Sequence, residues 1–227
     1  MTALDPVPPL PRAVAWRYRH RYAVLDVETT GLRPEAGDRI VQVAVSLVDP
    51  RGVVERSWST LVDPQRDPGP VDVHGITRER LVGAPRFAEV APTVAELLAG
   101  RVFVAHNAGF DWRFLSSEMS AAGVPLPSRQ RLCTWRLAQR LDLPVENLKL
   151  STLAAHWGID QVRAHDAVDD TRVLVEVLRE ELTAAQRGRV RLPVWRVGGR
   201  DPLARVLSRL RRVVRRGRRA GAGGPRR

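Results

Sequence analysis

With 227 residues, 44% of them hydrophobic, the chain suits one medium domain plus an appendage, and the absence of a run of about eighteen apolar residues argues against a membrane span. The Pro-rich start lacks the apolar core of a signal peptide, and the single cysteine, Cys133, excludes an intramolecular disulfide or a cysteine-based zinc site, so we expect a cytoplasmic protein. The net charge of +12 is uneven, because residues 200–227 hold 11 Arg and one Asp, or +10, and leave +2 for residues 1–199.

The first elements are predicted to be strands. Residues 22–28 form an apolar, β-branched run that contains two carboxylates. Two further strands, over 40–48 and 53–62, flank the turn sequence Asp-Pro-Arg-Gly at 49–52. We therefore predict an antiparallel meander, followed by a Pro-rich loop over 63–70.

Helical spacing and short apolar runs alternate after the meander. A strand is predicted over 101–105, and helices are predicted over 77–82, 93–99, 111–122, 132–141, 148–157 and 169–182. Three strands followed by this alternation indicate an α/β protein with a mixed sheet that helices flank.

The end of the chain has a different character beyond Gly198 and Gly199. Apolar residues there recur at helical spacing with arginines between them, and an Arg/Gly-rich composition from Gly217 onward favours disorder. The predicted organisation is a Pro-rich segment over 1–19, a domain over 20–185, a linker over 186–199, and a tail over 200–227 with an amphipathic Arg-rich helix.

Acidic residues inside three separated motifs are the candidates for chemistry. Asp26 and Glu28 project from one face of their predicted strand, where two carboxylates repel each other unless a cation or proton intervenes. Asp111 alone could be a helix N-terminal carboxylate, and His165 with Asp170 could be a loop histidine and a helix cap. Gly31, after Thr29 and Thr30, would allow close backbone approach to a nucleotide.

Together and in this order, the motifs resemble the DEDDh 3′→5′ exonucleases, the family of the epsilon proofreading subunit of bacterial DNA polymerase III. The motifs are Asp-Val-Glu-Thr-Thr-Gly at 26–31, His-Asn-Ala-Gly-Phe-Asp at 106–111 and His-Asp-Ala-Val-Asp-Asp at 165–170. The resemblance covers about residues 20–185 and includes Val-His-Gly-Ile-Thr at 73–77. Cys133 departs from it, because many relatives have Asp before the following Thr.

The resemblance implies a ribonuclease H-like fold and a metal-dependent hydrolysis of phosphodiesters. Two Mg²⁺ or Mn²⁺ ions would be held by the four carboxylates, and His165 would be the general base for the attacking water. The metal ligands implied are Asp26, Glu28, Asp111 and Asp170. Family spacing selects Asp170 over Asp166 and Asp169, and a helical register turns Asp169 about 100° away.

The resemblance also implies contacts with the 3′ end of the substrate. Thr29, Thr30 and Gly31 would meet the terminal nucleotide, and Leu32 would wedge against its base. Asn107 would hold the loop or the scissile strand. His74 and Phe110 would line the pocket, although Phe110 could equally pack in the core.

The function expected from these residues is metal-dependent 3′→5′ removal of nucleotides from single-stranded ends, with DNA as the expected substrate, in proofreading or repair. The alternatives are an RNA exonuclease of the ribonuclease T or oligoribonuclease kind and a catalytically idle nucleic-acid-binding scaffold. All five catalytic positions are intact, which counts against the scaffold. The cationic tail could bind nucleic acid in a salt-dependent way, dock on a partner such as a DNA polymerase, lie on an anionic membrane or pack back on the domain.

Overall fold

The computed structural model describes residues 20–128 and 130–196. Within these residues, six strands form one mixed sheet in the order β3-β2-β1-β4-β5-β6. The first three strands are an antiparallel meander, β4 and β5 run parallel to β1, and β6 is antiparallel to β5. The strands are β1 (Tyr22–Thr29), β2 (Ile40–Val48), β3 (Val54–Leu61), β4 (Val102–Ala105), β5 (Gln130–Cys133) and β6 (Val194–Arg196).

Helices cover both faces of this sheet, and the predicted mixed α/β architecture is confirmed. Short 3₁₀ turns lie at Pro34–Ala36 and Glu79–Leu81. The helices are α1 (Val71–His74), α2 (Phe87–Leu98), α3 (Gly109–Ala121), α4 (Thr134–Leu141), α5 (Leu150–His156) and α6 (Ala167–Arg187). None of the helices in the described part of the chain is both long and apolar enough to cross a membrane.

The central strand β1 sends alternate side chains to two different cores. Ala23, Leu25 and Val27 pack in the cluster that α2 and α3 cover, whereas Tyr22 and Val24 pack in the cluster under α6. Full burial of a side chain such as Leu25 contributes about 1.5–3 kcal/mol, so these two cores hold β1 firmly in place. Because the period of a strand is two, positions 26 and 28 continue the row that faces α6.

The structure corrects several predicted elements. The predicted helix over 132–141 begins too early, because residues 132 and 133 belong to strand β5, which pairs in parallel with β4. Helix α4 begins at Thr134. The predicted helix over 77–82 is only a 3₁₀ turn. Helix α2 begins at Phe87 rather than at 93, because the Glu89 side chain accepts a hydrogen bond from the backbone N–H of Arg86 and caps the helix.

The C-terminal boundary of the fold lies later than residue 185. Helix α6 continues to Arg187, and β6 adds an edge strand next to β5 from the segment predicted to be a linker. The guanidinium of Arg131 lies over the rings of Trp112 and Trp195, at 4.6 and 5.4 Å from their centroids. These contacts fasten β6 to the sheet. The predicted segment 1–19 and tail 200–227 lie outside the described residues.

Candidate active site

Three carboxylates from two elements converge at one end of the sheet. Asp26 and Glu28 project from β1, and Asp170 projects from the first turn of α6. One oxygen of each lies within 4.8 Å of the others. The two strand carboxylates face α6 because they continue the row of Tyr22 and Val24, and the packing of α6 on that row delivers Asp170 to them.

The mutual charge and burial of these groups strongly disfavour their ionised forms. Burial, followed by the negative charges of Asp170, Asp166 and Asp111, raises the pKa of Glu28 to about 8. Burial and then Asp111 and Glu28 raise the pKa of Asp26 well above its ordinary value. Such a cluster is ionised at neutral pH only when a cation compensates it, which is the behaviour expected of a metal site.

Asp111 stands beside this trio rather than within it. It occupies the first turn of α3 and is buried, and its carboxylate accepts a hydrogen bond from the backbone N–H of Val27, between the two strand carboxylates. Burial raises the pKa of Asp111 to about 7, and its charge is the largest electrostatic influence on Asp26. It can therefore support a second cation that Asp26 shares.

Asp170 and Asp169 have clearly separate tasks. Asp170 accepts hydrogen bonds from Gln161 Nε2 at 2.6 Å and from the backbone N–H of His165 at 3.0 Å. Asp169 points away and accepts the backbone N–H groups of 162 and 163, while Arg172 pairs with its other oxygen. The geometry agrees with the helical register that favours Asp170 over Asp169.

His165 lies in the loop that precedes α6 and is exposed. Its backbone has a φ of 63°, in the left-handed region that non-glycine residues seldom occupy. The hydrogen bond from its backbone to Asp170 holds this conformation. Such local strain is common at functional sites.

These residues open into a cavity of about 800 Å³. Asp26, Asp170 and His165 line one part of it, and Asn107 lies on its wall. Asn107 also has a positive φ, of 61°, at the turn between β4 and α3. The cavity is large enough to admit a nucleotide-sized group to the carboxylates.

The Thr-Thr-Gly turn after β1 is a tightly bonded loop. Thr29 and Thr30 are buried, the Thr29 hydroxyl donates to the carbonyl of Gly31, and Thr30 Oγ1 accepts the backbone N–H of Arg39. A Cβ on Gly31 would lie 2.4 Å from Oδ2 of Asp38. A side chain at position 31 would therefore have to displace the Asp38 carboxylate, and the expected approach of the Gly31 backbone to a nucleotide stays a prediction.

The other predicted substrate contacts occupy diverse positions. Leu32 is 73% exposed, and its contact with the terminal base stays a prediction. His74 is buried and its Nδ1 accepts the backbone N–H of Ile76, and Phe110 packs partly buried with its ring centroid 4.9 Å from that of Phe114. Neither His74 nor Phe110 is among the described residues that line the cavity, so their contacts with substrate stay predictions.

Sequence reasoning misses Gln161, Trp135 and Lys149, which line the cavity, and gives no task to His106. No pattern singles out Gln161, nine residues before the carboxylate that it contacts. His106 stands in a recognised motif, so its position is a signal that could have been used.

Comparison with known proteins agrees with this geometry. The RNase_T exonuclease family model matches residues 23–178. The DNA polymerase III subunit epsilon of Treponema pallidum is 36% identical over 160 residues, which cover 69% of this chain and 74% of that protein. Other matched proteins are much longer, and the chain spans between 11% and 26% of the length of three of them.

Two solved structures share the fold. Exonuclease X in complex with 5′-overhanging duplex DNA has a TM-score of 0.58 and 25% identity, over 72% of this chain and 92% of that one. The nuclease domain of 3′hExo, a DEDDh family member bound to rAMP, has a TM-score of 0.65 and 17% identity, over 78% of this chain and 97% of that one. The fold is ribonuclease H-like, as the resemblance implied. The chain belongs to the RNase_T exonuclease family and is a 3′→5′ exonuclease of the DEDDh type.

Proposed function

We propose that this chain releases 5′-mononucleotides from the 3′ ends of single-stranded DNA, with two Mg²⁺ or Mn²⁺ ions. The observation that carries the proposal is the trio of oxygens from Asp26, Glu28 and Asp170, within 4.8 Å of one another and next to a cavity that His165 also lines. Proofreading or repair is the pathway class that such an activity serves.

The donor set fits divalent metal ions. All the candidate ligands are carboxylate oxygens, which Mg²⁺ and Mn²⁺ prefer, and their raised pKa values indicate a site with excess negative charge. Asp26, Glu28 and Asp170 would hold one ion, and Asp26 with Asp111 would support the other. When bound, the ions supply stabilisation of the attacking and leaving oxygens.

His165 is assigned the removal of a proton from the attacking water. Imidazole is the side chain best suited to this task near neutral pH. The side chain of His165 is exposed, and it lines the same cavity as Asp170. The water oxygen forms a bond to phosphorus and the bond from phosphorus to the 3′ oxygen of the preceding nucleotide breaks. The phosphate therefore leaves on the 5′ carbon of the released nucleotide.

DNA is the preferred substrate in this proposal because two of the relatives with the greater sequence identity are linked to DNA. One is named as the epsilon subunit of a DNA polymerase, and the other is Exonuclease X, whose structure was solved with duplex DNA. The likeness to 3′hExo bound to rAMP extends to the fold alone. An RNA exonuclease is therefore the outcome against which DNA is tested.

The test is digestion of 5′-labelled DNA and RNA oligonucleotides with Mg²⁺, Mn²⁺ or EDTA. We expect a ladder that shortens from the 3′ end of DNA, depends on metal, and is lost in Asp26→Ala. The matched control is Asp142→Asn, an exposed residue at the end of α4 that takes no part in the site. Faster digestion of RNA would reassign the substrate, and binding without cleavage of either polymer would support a scaffold.

We also propose that the chain works with a DNA polymerase through residues beyond Arg196, because its epsilon relative is a polymerase subunit by name. Co-elution with the replicative polymerase of the same organism should be seen with the full chain and lost on deletion of 200–227. Equal co-elution of both forms would place the contact on the domain.

A further inference from the structure

The cavity extends past the carboxylates to a second wall. This wall, which we call the far wall, consists of Trp135 in the first turn of α4 with Asn147 and Lys149 in the segment before α5. Asp26 and Asp170 line the same cavity. A chain whose terminal phosphodiester reaches the carboxylates therefore has the far wall within the same space.

One half-buried histidine contacts both halves of the far wall. His106 Nε2 lies 2.8 Å from the carbonyl oxygen of Leu148, and its Nδ1 lies 2.9 Å from the Thr134 hydroxyl. A carbonyl can only accept, so Nε2 carries the proton and Nδ1 accepts from the hydroxyl. Because Thr134 precedes Trp135 and Leu148 precedes Lys149, His106 ties both segments to the end of β4.

The segment before α5 is also fixed within itself. Asn147 Oδ1 accepts the backbone N–H of Lys149 at 3.0 Å and the hydroxyl of Thr152 at 2.7 Å. These contacts organise the start of α5 without any ligand. A wall that is already ordered loses little conformational freedom when it binds, which is the condition for a specific subsite.

The two outer side chains of the far wall have the chemistry of a nucleotide-binding surface and no competing partners in the part of the chain that the structure describes. Trp135 is 37% exposed and makes no ring or cation–π contact there. The exposed Lys149 makes no ion pair with a described residue, and among the described residues that line the cavity it is the sole Lys or Arg.

We propose that Trp135 and Lys149 form a subsite for the nucleotide on the 5′ side of the scissile bond. Trp135 stacks on the base of that nucleotide, and Lys149 pairs with its phosphodiester. The inference rests on the proposed function. Stacking on an aromatic ring tolerates any base, and a single ammonium offsets the repulsion between a polyanion and the carboxylates.

The experiment compares two substrates that differ in this nucleotide. A short thymidine oligonucleotide contains it, whereas p-nitrophenyl thymidine 5′-monophosphate offers only the terminal nucleotide and a leaving group. We expect Trp135→Leu and Lys149→Gln each to raise KM for the oligonucleotide about 10-fold, with kcat within about two-fold of wild type. Hydrolysis of the p-nitrophenyl ester should not change, and Lys149→Arg should restore most of the affinity for the oligonucleotide.

Binding without cleavage gives an independent readout. Fluorescence anisotropy of a labelled oligonucleotide in EDTA, in an Asp26→Asn background, should show weaker binding with Lys149→Gln and a salt slope lower by about 0.7. The control is Arg56→Gln, which removes an exposed charge from β3, the strand at the edge of the sheet opposite β6.

The outcomes separate this inference from the proposed function. Unchanged affinity and salt slope in Lys149→Gln, or an equal rise in KM for both substrates, would overturn the subsite while the exonuclease stands. If the wild type hydrolyses neither substrate, the proposed function is overturned. The anisotropy measurement would then still test the subsite. Circular dichroism melts identify any variant whose fold is lost, and Lys149→Gln, at an exposed position, then carries the test.

Discussion

The side-chain amide of Gln161 donates a hydrogen bond of 2.6 Å to Oδ1 of Asp170, while the backbone N–H of His165 donates to Oδ2 of the same carboxylate at 3.0 Å. One carboxylate of the metal-ligand trio is thus held through both oxygens by a single loop. The same loop presents the imidazole of His165. This loop therefore links the position of the candidate base, His165, to that of the candidate metal ligand, Asp170.

Substitution of Gln161 with Leu tests this link. Loss of the amide frees one oxygen of Asp170, and outer partners of this kind are worth about 10–100-fold in metal affinity or activity. We expect a fall in kcat of that size and weaker Mn²⁺ binding by electron paramagnetic resonance. The control is Gln139→Leu, at an exposed position on α4. Wild-type Mn²⁺ affinity in Gln161→Leu would show that Asp170 needs no such support.

The stability of the metal-free protein should depend on the protonation of Glu28. Its pKa rises from an ordinary 4.5 to about 8 on folding, chiefly through burial and then through the charge of Asp170. A raised carboxyl pKa means that stability is fully present below the unfolded pKa and is lost as pH rises toward 8. The loss amounts to a few kcal/mol, because each tenfold change in the acid dissociation constant is worth about 1.4 kcal/mol.

Urea unfolding in EDTA between pH 5 and pH 8.5 measures this loss. We expect the free energy of unfolding to decrease across that range in the wild type, to decrease less in Glu28→Gln, and to recover at pH 8 when Mg²⁺ is added to the wild type. A pH profile that is identical in the wild type and Glu28→Gln would contradict the prediction.

Local patterns in the sequence predict the parts of this molecule that are fixed locally. The period of two in β1 puts Asp26 and Glu28 on one face, and the period of α6 separates Asp170 from Asp169. The prediction that merges β5 with α4 is wrong because Cys133 and Leu137 stand four residues apart, as on one face of a helix, whereas β5 is defined by its pairing with β4 from an earlier part of the chain.

The far wall and the end of the fold depend on contacts that no local pattern encodes. His106, Thr134 and Leu148 meet although up to 42 positions separate them along the chain. Strand β6 has only three residues, which is too short for a period to be recognised, and it is held by the Arg131 guanidinium over Trp195. Such elements follow from tertiary packing and are invisible to periodicity.

The contact between Gly31 and Asp38 predicts a specific non-additive result. A Cβ at position 31 would lie 2.4 Å from Oδ2 of Asp38, which also accepts the backbone N–H of Arg33 at 3.0 Å. We expect Gly31→Ala to displace the turn after β1, to destabilise the protein by about 1–3 kcal/mol, and to lower activity. Asp38→Ala alone should lower the free energy of unfolding by less than Gly31→Ala does. The loss in the double variant should be smaller than the sum of the two single losses. Strict additivity in urea unfolding would show that the clash is relieved elsewhere.

Glu181 is a buried carboxyl whose removal should stabilise the protein. It lies on α6 with no exposed surface, both of its oxygens are without a hydrogen-bond partner among the described residues, and burial raises its pKa well above 4.5. The part of its cost that comes from ionisation is absent below pH 4.5 and grows as pH rises. Glu181→Leu should therefore raise the free energy of unfolding by about 1–3 kcal/mol at pH 8 and by less at pH 5, because an unpaired polar group is removed from the interior. The test is urea unfolding at the two pH values, and the control is Glu180→Leu at the exposed neighbouring position. A loss of stability in Glu181→Leu at pH 8 would mean that the carboxyl has a partner when the protein is folded in solution.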